Sequence, residues 1–221
     1  MGSVKTMLAW SSGKDSAWTL QLLRQQGTAV DAILTTINET ADRVAMHGVR
    51  RALLEAQAKA IGIPVWMIPL PWPCSNEEYE ARMAEACRRA VAEGFGTMAF
   101  GDLFLRDIRS YRERQLAGTG LTPVFPLWDL PTGALAREMI ASGVKARLAC
   151  VDSQSLDERF AGREFDSALL EELPPEVDAC GENGEFHTFV YDGPMFQEPL
   201  RIRGGETHRY ERFVYADLLP C

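Results

Sequence analysis

Apolar positions in the first 128 residues follow two alternating rhythms. Short runs rich in β-branched, aliphatic and aromatic residues, punctuated by Gly, Pro, Asn or Ser, predict strands at 6–10, 32–37, 65–68, 97–100 and 122–125. Between them the period lengthens to that of a helix. A first helix runs to about Gln26 and stops at Gly27. Val49, Leu53, Ala56 and Ala60 then recur at i, i+4, i+7 and i+11. Tyr79, Met83, Ala86 and Ala90 repeat that spacing behind a Ser75-x-x-Glu78 capping-box pattern. Alternating strands and helices predict repeated βα units, hence five parallel strands in one sheet covered on both faces.

Beyond Asp129 the alternation fades. A helix over 132–140, stopped by Gly143, leads into a strand over 146–151. Pro174-Pro175, a Gly- and Glu-containing stretch at 180–185, and short segments at 187–191 and 213–218 follow. This predicts a smaller α+β domain over 129–221 beside an α/β domain with a Rossmann-like parallel sheet over 1–128.

Composition narrows the function classes. Of 221 residues, 46% are hydrophobic and 24% charged, a balance that buries a sizeable core. The net charge of −8 counts against a polyanionic partner such as tRNA or DNA. No apolar run approaches the ~20 residues of a membrane span, and residues 1–5 lead into a strand rather than a secretory segment, so a cytoplasmic location is expected. Five scattered cysteines without a C-x-x-C pair argue against a disulfide framework or a zinc site and read mostly as buried thiols. A homo-oligomer stays open.

Candidate chemistry begins at Ser11-Ser12-Gly13-Lys14-Asp15-Ser16, between the first strand and its helix. Backbone N–H groups at a helix N-terminus, with the hydroxyls of Ser11, Ser12 and Ser16 and the charge of Lys14, suit a phosphate. The mononucleotide P-loop pattern would need Gly at Leu8 and Ser or Thr at Asp15, so a different nucleotide class is implied. Asp15 beside a triphosphate points to Mg²⁺, or else caps the helix. Gly101 and Asp102 follow the fourth strand at the same sheet edge, with Asp102 a second Mg²⁺ or ribose candidate or a helix N-cap. Arg109 and Arg112, at i, i+3, present one cationic face or a solvated surface. His47 sits at the start of the second helix, reaching a phosphate or a substrate carboxylate, or else capping the helix or packing locally. A second cluster, Glu182-Asn183-Gly184-Glu185-Phe186-His187-Thr188, gathers carboxylates, an amide and an imidazole around a glycine, as a substrate loop or a polar surface hairpin.

The first of these segments resembles the S-G-G-x-D-S signature of PP-loop ATP pyrophosphatases, with Ser12 in place of the first glycine. With Gly101-Asp102, Tyr111-Arg112, Phe125-Pro126-Leu127-Trp128 and Val151-Asp152-Ser153, the chain resembles the diphthine ammonia ligase family over most of residues 4–196. In the family's E-G-G-E-[FY]-E-[ST] motif, Asn183 replaces glycine and His187 replaces glutamate. The resemblance implies ATP and Mg²⁺ as cofactors and adenylation of an acceptor carboxylate, on a small molecule or a protein, with ammonia as nucleophile. It implies adenine contacts from Thr35, Thr36 and Ile37. It places Glu182 and Glu185 in catalysis at the acceptor side; their own chemistry and position add Lys14 and Asp15 to the catalytic set and point His47, Asp102, Arg109, Arg112, Asn183 and His187 toward the acceptor. A PP-loop tRNA-modifying enzyme and a non-catalytic adenine nucleotide sensor remain as alternatives.

Overall fold

The computed structural model describes residues 4–221, so the leader reading of residues 1–3 lies outside the described residues. The chain runs β1 (Lys5–Ala9), α1 (Lys14–Gln25), β2 (Ala32–Asn38), β3 (Arg43–Val44), α2 (Arg51–Ile61), β4 (Val65–Leu70), α3 (Asn76–Ala92), β5 (Phe95–Ala99), α4 (Arg106–Leu116) and β6 (Thr122–Val124). After these come α5 (Thr132–Ala141), β7 (Lys145–Asp152), a single 3₁₀ turn (Glu158–Phe160), α6 (Ser167–Glu172), β8 (Phe186–Asp192), β9 (Ile202–Tyr210) and β10 (Phe213–Pro220).

Five strands pair in parallel in the order β4-β2-β1-β5-β6. The two-residue β3, unforeseen in the sequence, pairs antiparallel with the end of β2, beyond the stretch that β1 occupies. Because β1 has β2 on one side and β5 on the other, the strand order reverses beside it. Ligands of open α/β sheets bind in the crevice beyond the strand carboxyl ends at such a reversal. The second sheet is antiparallel, β8-β7-β10-β9.

Strand alternation divides the core. Leu8, Ile33 and Ile37 point to the face covered by Trp18 and Leu20 of α1 and Leu53 and Leu54 of α2. Met7, Ala32 and Leu34 point to the other, against Met83, Ala86 and Ala90 of α3. Leu148 of β7 and Phe186, Phe189 and Val190 of β8 belong to the first cluster, so the second sheet packs into the same core as α1 and α2.

Several local expectations are adjusted. Helix α2 begins at Arg51, leaving buried Val49 in the preceding turn. At α3 half of the capping box forms: Ser75 Oγ accepts from Glu78 N at 3.2 Å, while the Glu78 carboxylate turns to Arg82. Three cysteines, Cys87, Cys150 and Cys180, are buried; Cys74 is partly exposed and Cys221 exposed.

The sheets are also joined electrostatically. Asp217 on β10, 6% exposed, accepts from Arg43 Nη1 at 2.9 Å and from Arg50 Nε and Nη2 at 3.0 and 2.5 Å. Burial works against its charge, but the two guanidiniums prevail and hold the carboxyl at about 2, below its ordinary 3.8. A depressed acid adds stability that is complete above its unfolded value and lost as pH falls through its folded one. Asp217→Asn should therefore cost about 1–2 kcal/mol at pH 7, allowing for solvent around the more exposed Arg50. Urea titrations should show that gap closing between about pH 4 and pH 2.

Candidate functional site

Trp10 closes β1 by donating its N–H to Leu34 O at 2.8 Å, and the chain then turns sharply. Ser12 takes φ +71°, a left-handed conformation that costs a residue with Cβ about 1 kcal/mol and explains a glycine in the motif that this turn resembles. The turn is braced from inside: Ser16 Oγ donates to Gly13 O at 2.9 Å and lies 3.3 Å from Ser11 Oγ. The N–H groups of Asp15 and Ser16, in the first turn of α1, have no partner within the helix. Both residues line the cavity at the helix's positive end.

The back of the turn is clamped by residues outside it. Ser12 O accepts from Gln57 Nε2 and from Val190 N, each at 3.0 Å, and Lys14 N donates to Thr188 Oγ1 at 3.0 Å. A Cβ on Gly13 would stand 3.1 Å from Thr188 O and 3.2 Å from His47 Cε1. Glycine here lets β8 and the His47 turn approach the bend. Thr188 belongs to the distal motif, but this role for it and the part of Gln57 escaped sequence reasoning; a lone amide on the buried face of α2 was the available signal for Gln57.

In front of the turn opens a cavity of about 530 Å³. Ser11, Lys14, Asp15 and Ser16 line it, with Thr36 from the end of β2, Gly101 and Asp102 from the end of β5, Arg112 from α4, His47, and Glu182 and His187 from the distal motif. Leu34, Thr35, Tyr79, Met83, Met98 and Phe100 add a largely apolar wall. Thr35 Oγ1 is held by Trp10 O at 2.7 Å, and Ile37 lies fully buried in the core, away from the cavity. Gly101 is tight as well: a Cβ there would lie 3.1 Å from the backbone carbon of Asp15.

Besides Ile37, five expected residues stand outside the lining. Ser12 and Gly13 form the turn behind it. Arg109 is drawn away onto the Phe125 and Trp128 rings and pairs with Glu113 at 2.8 Å. Asn183 is exposed and donates to Glu185 Oε1 at 2.9 Å. Glu185, 5% exposed, also accepts from Asp178 N at 2.9 Å, so its carboxylate ties the loop that presents Glu182. Asp178 does the same work from the other side, accepting from the N–H groups of Cys180 and Glu182 at 3.0 and 3.1 Å. Gly181 makes this loop possible: it has φ +71°, and a Cβ would lie 2.7 Å from Phe186 O. Gly181→Ala should cost about 2–3 kcal/mol, combining the left-handed penalty with the clash. Chemical denaturation of the variant checks this.

The charges are arranged unevenly. Lys14, 2% exposed, sends its ammonium to Asp15 Oδ2 at 2.9 Å and to Cys180 O, over the Phe165 and Phe186 rings. Burial opposes that charge, but Asp15, with Cys180 and Glu182 behind it, outweighs burial and keeps the lysine protonated. Burial raises the Asp15 carboxyl against the pull of Lys14, and raises Asp102 against Arg112, whose Nε is 3.8 Å from Asp102 Oδ2. Burial pushes Glu182 up to about 7; the N–H of Leu103, bonded to its Oε1 at 2.7 Å, opposes this and the charges of Asp15 and Asp102 add to it. The His47 and His187 rings pack at 4.6 Å between centroids, tilted 36° to one another. Burial, then Lys14, lowers His187 to about 4, while burial and His187 lower His47 well below its usual range. Both rings are therefore neutral at pH 7.

Asp15 Oδ1 and Asp102 Oδ2 are buried without a hydrogen-bond partner. Two hard oxygens at the rim of an anion site fit Mg²⁺, which takes one or two carboxylates and completes its shell with water and phosphate. Among the described residues there is no cluster of three or more His, Cys, Asp or Glu side chains that would make a cage for a metal alone.

A parallel sheet with a phosphate-type turn after its first strand, opposed by a loop from a second, antiparallel sheet, defines a PP-loop α/β protein. More specifically, the chain belongs to the diphthamide synthase family, whose N-terminal domain matches residues 4–123 and whose C-terminal domain matches residues 131–218. Over 101 residues it is 34% identical to the diphthine–ammonia ligases of Mus musculus and Homo sapiens, an overlap of 43% of this chain and 38% of each relative. The Danio rerio diphthine–ammonia ligase is 25% identical over 219 residues, covering 89% of this chain and 86% of the relative. A solved predicted subunit of tRNA methyltransferase from Methanocaldococcus jannaschii aligns over 86% of this chain and 98% of its own, at 16% identity and a TM-score of 0.45. Among the described residues no helix is long and apolar enough to cross a membrane.

Proposed function

We propose that this chain is an ATP-dependent amide-forming ligase that adenylates an acceptor carboxylate and transfers the acyl group to ammonia. One observation carries the reading: the 11–16 turn, Asp102 and Glu182, from three distant parts of the chain, face one cavity at the carboxyl edge of the parallel sheet. The diphthine–ammonia ligase relatives support the same class.

The reaction needs activation because a carboxylate is a poor electrophile until its oxygen becomes part of a good leaving group. The N–H groups and hydroxyls of the turn bind the triphosphate, with the apolar wall around Phe100 and Met83 beside the base. Asp15 and Asp102 would hold Mg²⁺, which when bound offsets phosphate charge and the negative charge growing on the pyrophosphate leaving group. The acceptor oxygen bonds to the α-phosphorus; the bond to the β-bridging oxygen breaks, and pyrophosphate leaves with the electron pair. Ammonia then attacks the acyl carbon, AMP departs with the carboxylate oxygen, and the nitrogen gives up a proton. Glu182, poised at about 7, has the affinity required to accept that proton near neutral pH. Neutral His187 and His47 line the path without repelling an ammonium ion. Residues 180–182 and the start of β8, which line the cavity, help keep water from the mixed anhydride.

The test is a product screen: ATP, Mg²⁺ and ¹⁵N-ammonium with a panel of carboxylates, free and protein-borne. AMP and pyrophosphate should form in step with a ¹⁵N-amide. Nucleotide binding without AMP under every condition would point to a sensor instead.

A further inference from the structure

Gln57 is the single polar side chain on the buried face of α2, and it is fully enclosed. A neighbour with no choice of role fixes its orientation: the Trp10 indole N–H only donates, so the Gln57 oxygen faces it at 3.0 Å. The amide nitrogen is thereby aimed at two carbonyls, Ser12 O at 3.0 Å and Val190 O at 2.6 Å. Three segments distant in sequence, the end of β1, the phosphate-type bend and β8, meet on this one amide. Packing alone would be served by an apolar residue here, because an enclosed amide is unfavourable unless its groups are bonded.

The Ser12 carbonyl carries this hold to the cavity. In a planar trans peptide the C=O and N–H point opposite ways, so drawing Ser12 O back toward Gln57 and Val190 N turns the Gly13 N–H forward. Glycine at 13 leaves the peptide free to turn, so its direction depends on what holds the carbonyl. The Gly13 N–H donates to Ser11 Oγ at 3.3 Å, and Ser11 lines the nucleotide cavity. Ser16 gives its hydroxyl proton to Gly13 O, so where the two hydroxyls meet at 3.3 Å it is Ser11 that donates. That bond is long, and its proton is the one the bend can turn to a phosphate oxygen.

We propose that Gln57 is a positioning residue for phosphate binding: it orients the Ser12–Gly13 peptide and, through the Gly13 N–H, the Ser11 hydroxyl that meets the nucleotide. This rests on the reading that the cavity takes the phosphates of ATP. The test is calorimetric titration with Mg²⁺ and α,β-methylene-ATP, and separately with adenosine, on wild type and on Gln57→Met, which keeps much of the side-chain volume without an amide. Affinity for the analogue should fall about five- to ten-fold, and affinity for adenosine by less than about two-fold. In a Ser11→Ala background the same substitution should bring no further loss, because its route to the ligand is gone. Asp217→Asn, destabilised at a residue outside the cavity, should bind both ligands as wild type does, which separates stability from positioning. Gln57→Asn keeps the amide but is too short to join all three partners, and it replaces Gln57→Met if that variant fails to fold. Equal losses for analogue and adenosine, an unchanged affinity for the analogue, or losses that simply add in the double variant would overturn the proposal. An analogue that does not bind the wild-type protein would defeat the nucleotide reading as well. Binding as described, with no AMP formed from any acceptor, would defeat the ligase reading and leave the role of Gln57 standing.

Discussion

Asp15→Asn should reduce ATP-dependent pyrophosphate release by about 10²–10³-fold, the scale seen when a group stabilising transition-state charge is removed. The amide keeps an oxygen for Lys14 while giving up the charge that a Mg²⁺ ion would use. Asp15→Ala is the less clean variant, although the turn alone gives no sign of it. It strips the buried Lys14 ammonium of its charged partner. Breaking a buried pair costs about 3 kcal/mol or more, and the remaining Cys180 carbonyl puts this case at the low end. Pyrophosphate assays on Asp15→Asn, with a melting curve alongside, separate loss of chemistry from loss of fold. Wild-type release rates would remove Asp15 from the phosphate site.

Glu182→Gln should lower amide formation by about 10²–10⁴-fold while leaving ATP binding near wild type. In the wild type, at a fixed concentration of free ammonia, the rate should rise through about pH 7 as Glu182 ionises. The glutamine variant should lose that limb. The same raised carboxyl has the opposite effect on stability. The folded state holds a proton that the unfolded state releases near 4.5, so stability declines from there to about pH 7, and the variant should not show this decline. A rate limb that persists in the variant would assign the proton to another group.

The parallel sheet was legible because each of its strands is a compact run of apolar and β-branched residues between turn signals, and the phosphate turn because its position after the first such run supplies its meaning. Other features have no such signature. Strand β9 is exposed from Arg203 to Tyr210, so the sequence Arg203-Gly204-Gly205-Glu206-Thr207-His208-Arg209-Tyr210 shows no buried alternation. It is recognisable only through its pairing with β10. Arg109 and Arg112 share a helix face, but spacing does not say which neighbour each meets: one stacks on Phe125 and Trp128, the other reaches Asp102. Glu182 and Glu185 are three residues apart on either side of Gly184, which has φ +89°, and that reversal sends one carboxylate to the cavity and the other into the loop. Lys14 is the plainest case. A lysine in a phosphate turn suggests a phosphate ligand, whereas its ammonium is spent on Asp15 and Cys180, joining the turn to the distal loop. The sequence shows its charge; the packing of Phe165 and Phe186 decides its direction.

The central claim is that the bend at 11–16 holds a triphosphate with its α-phosphorus open to attack. A crystal structure with Mg²⁺ and α,β-methylene-ATP, which cannot be cleaved at the bond in question, tests it most directly. The account predicts phosphate oxygens on the N–H groups of Asp15 and Ser16, with the metal between Asp15 and Asp102. An analogue bound elsewhere, or a bend left empty at saturating analogue, would contradict it.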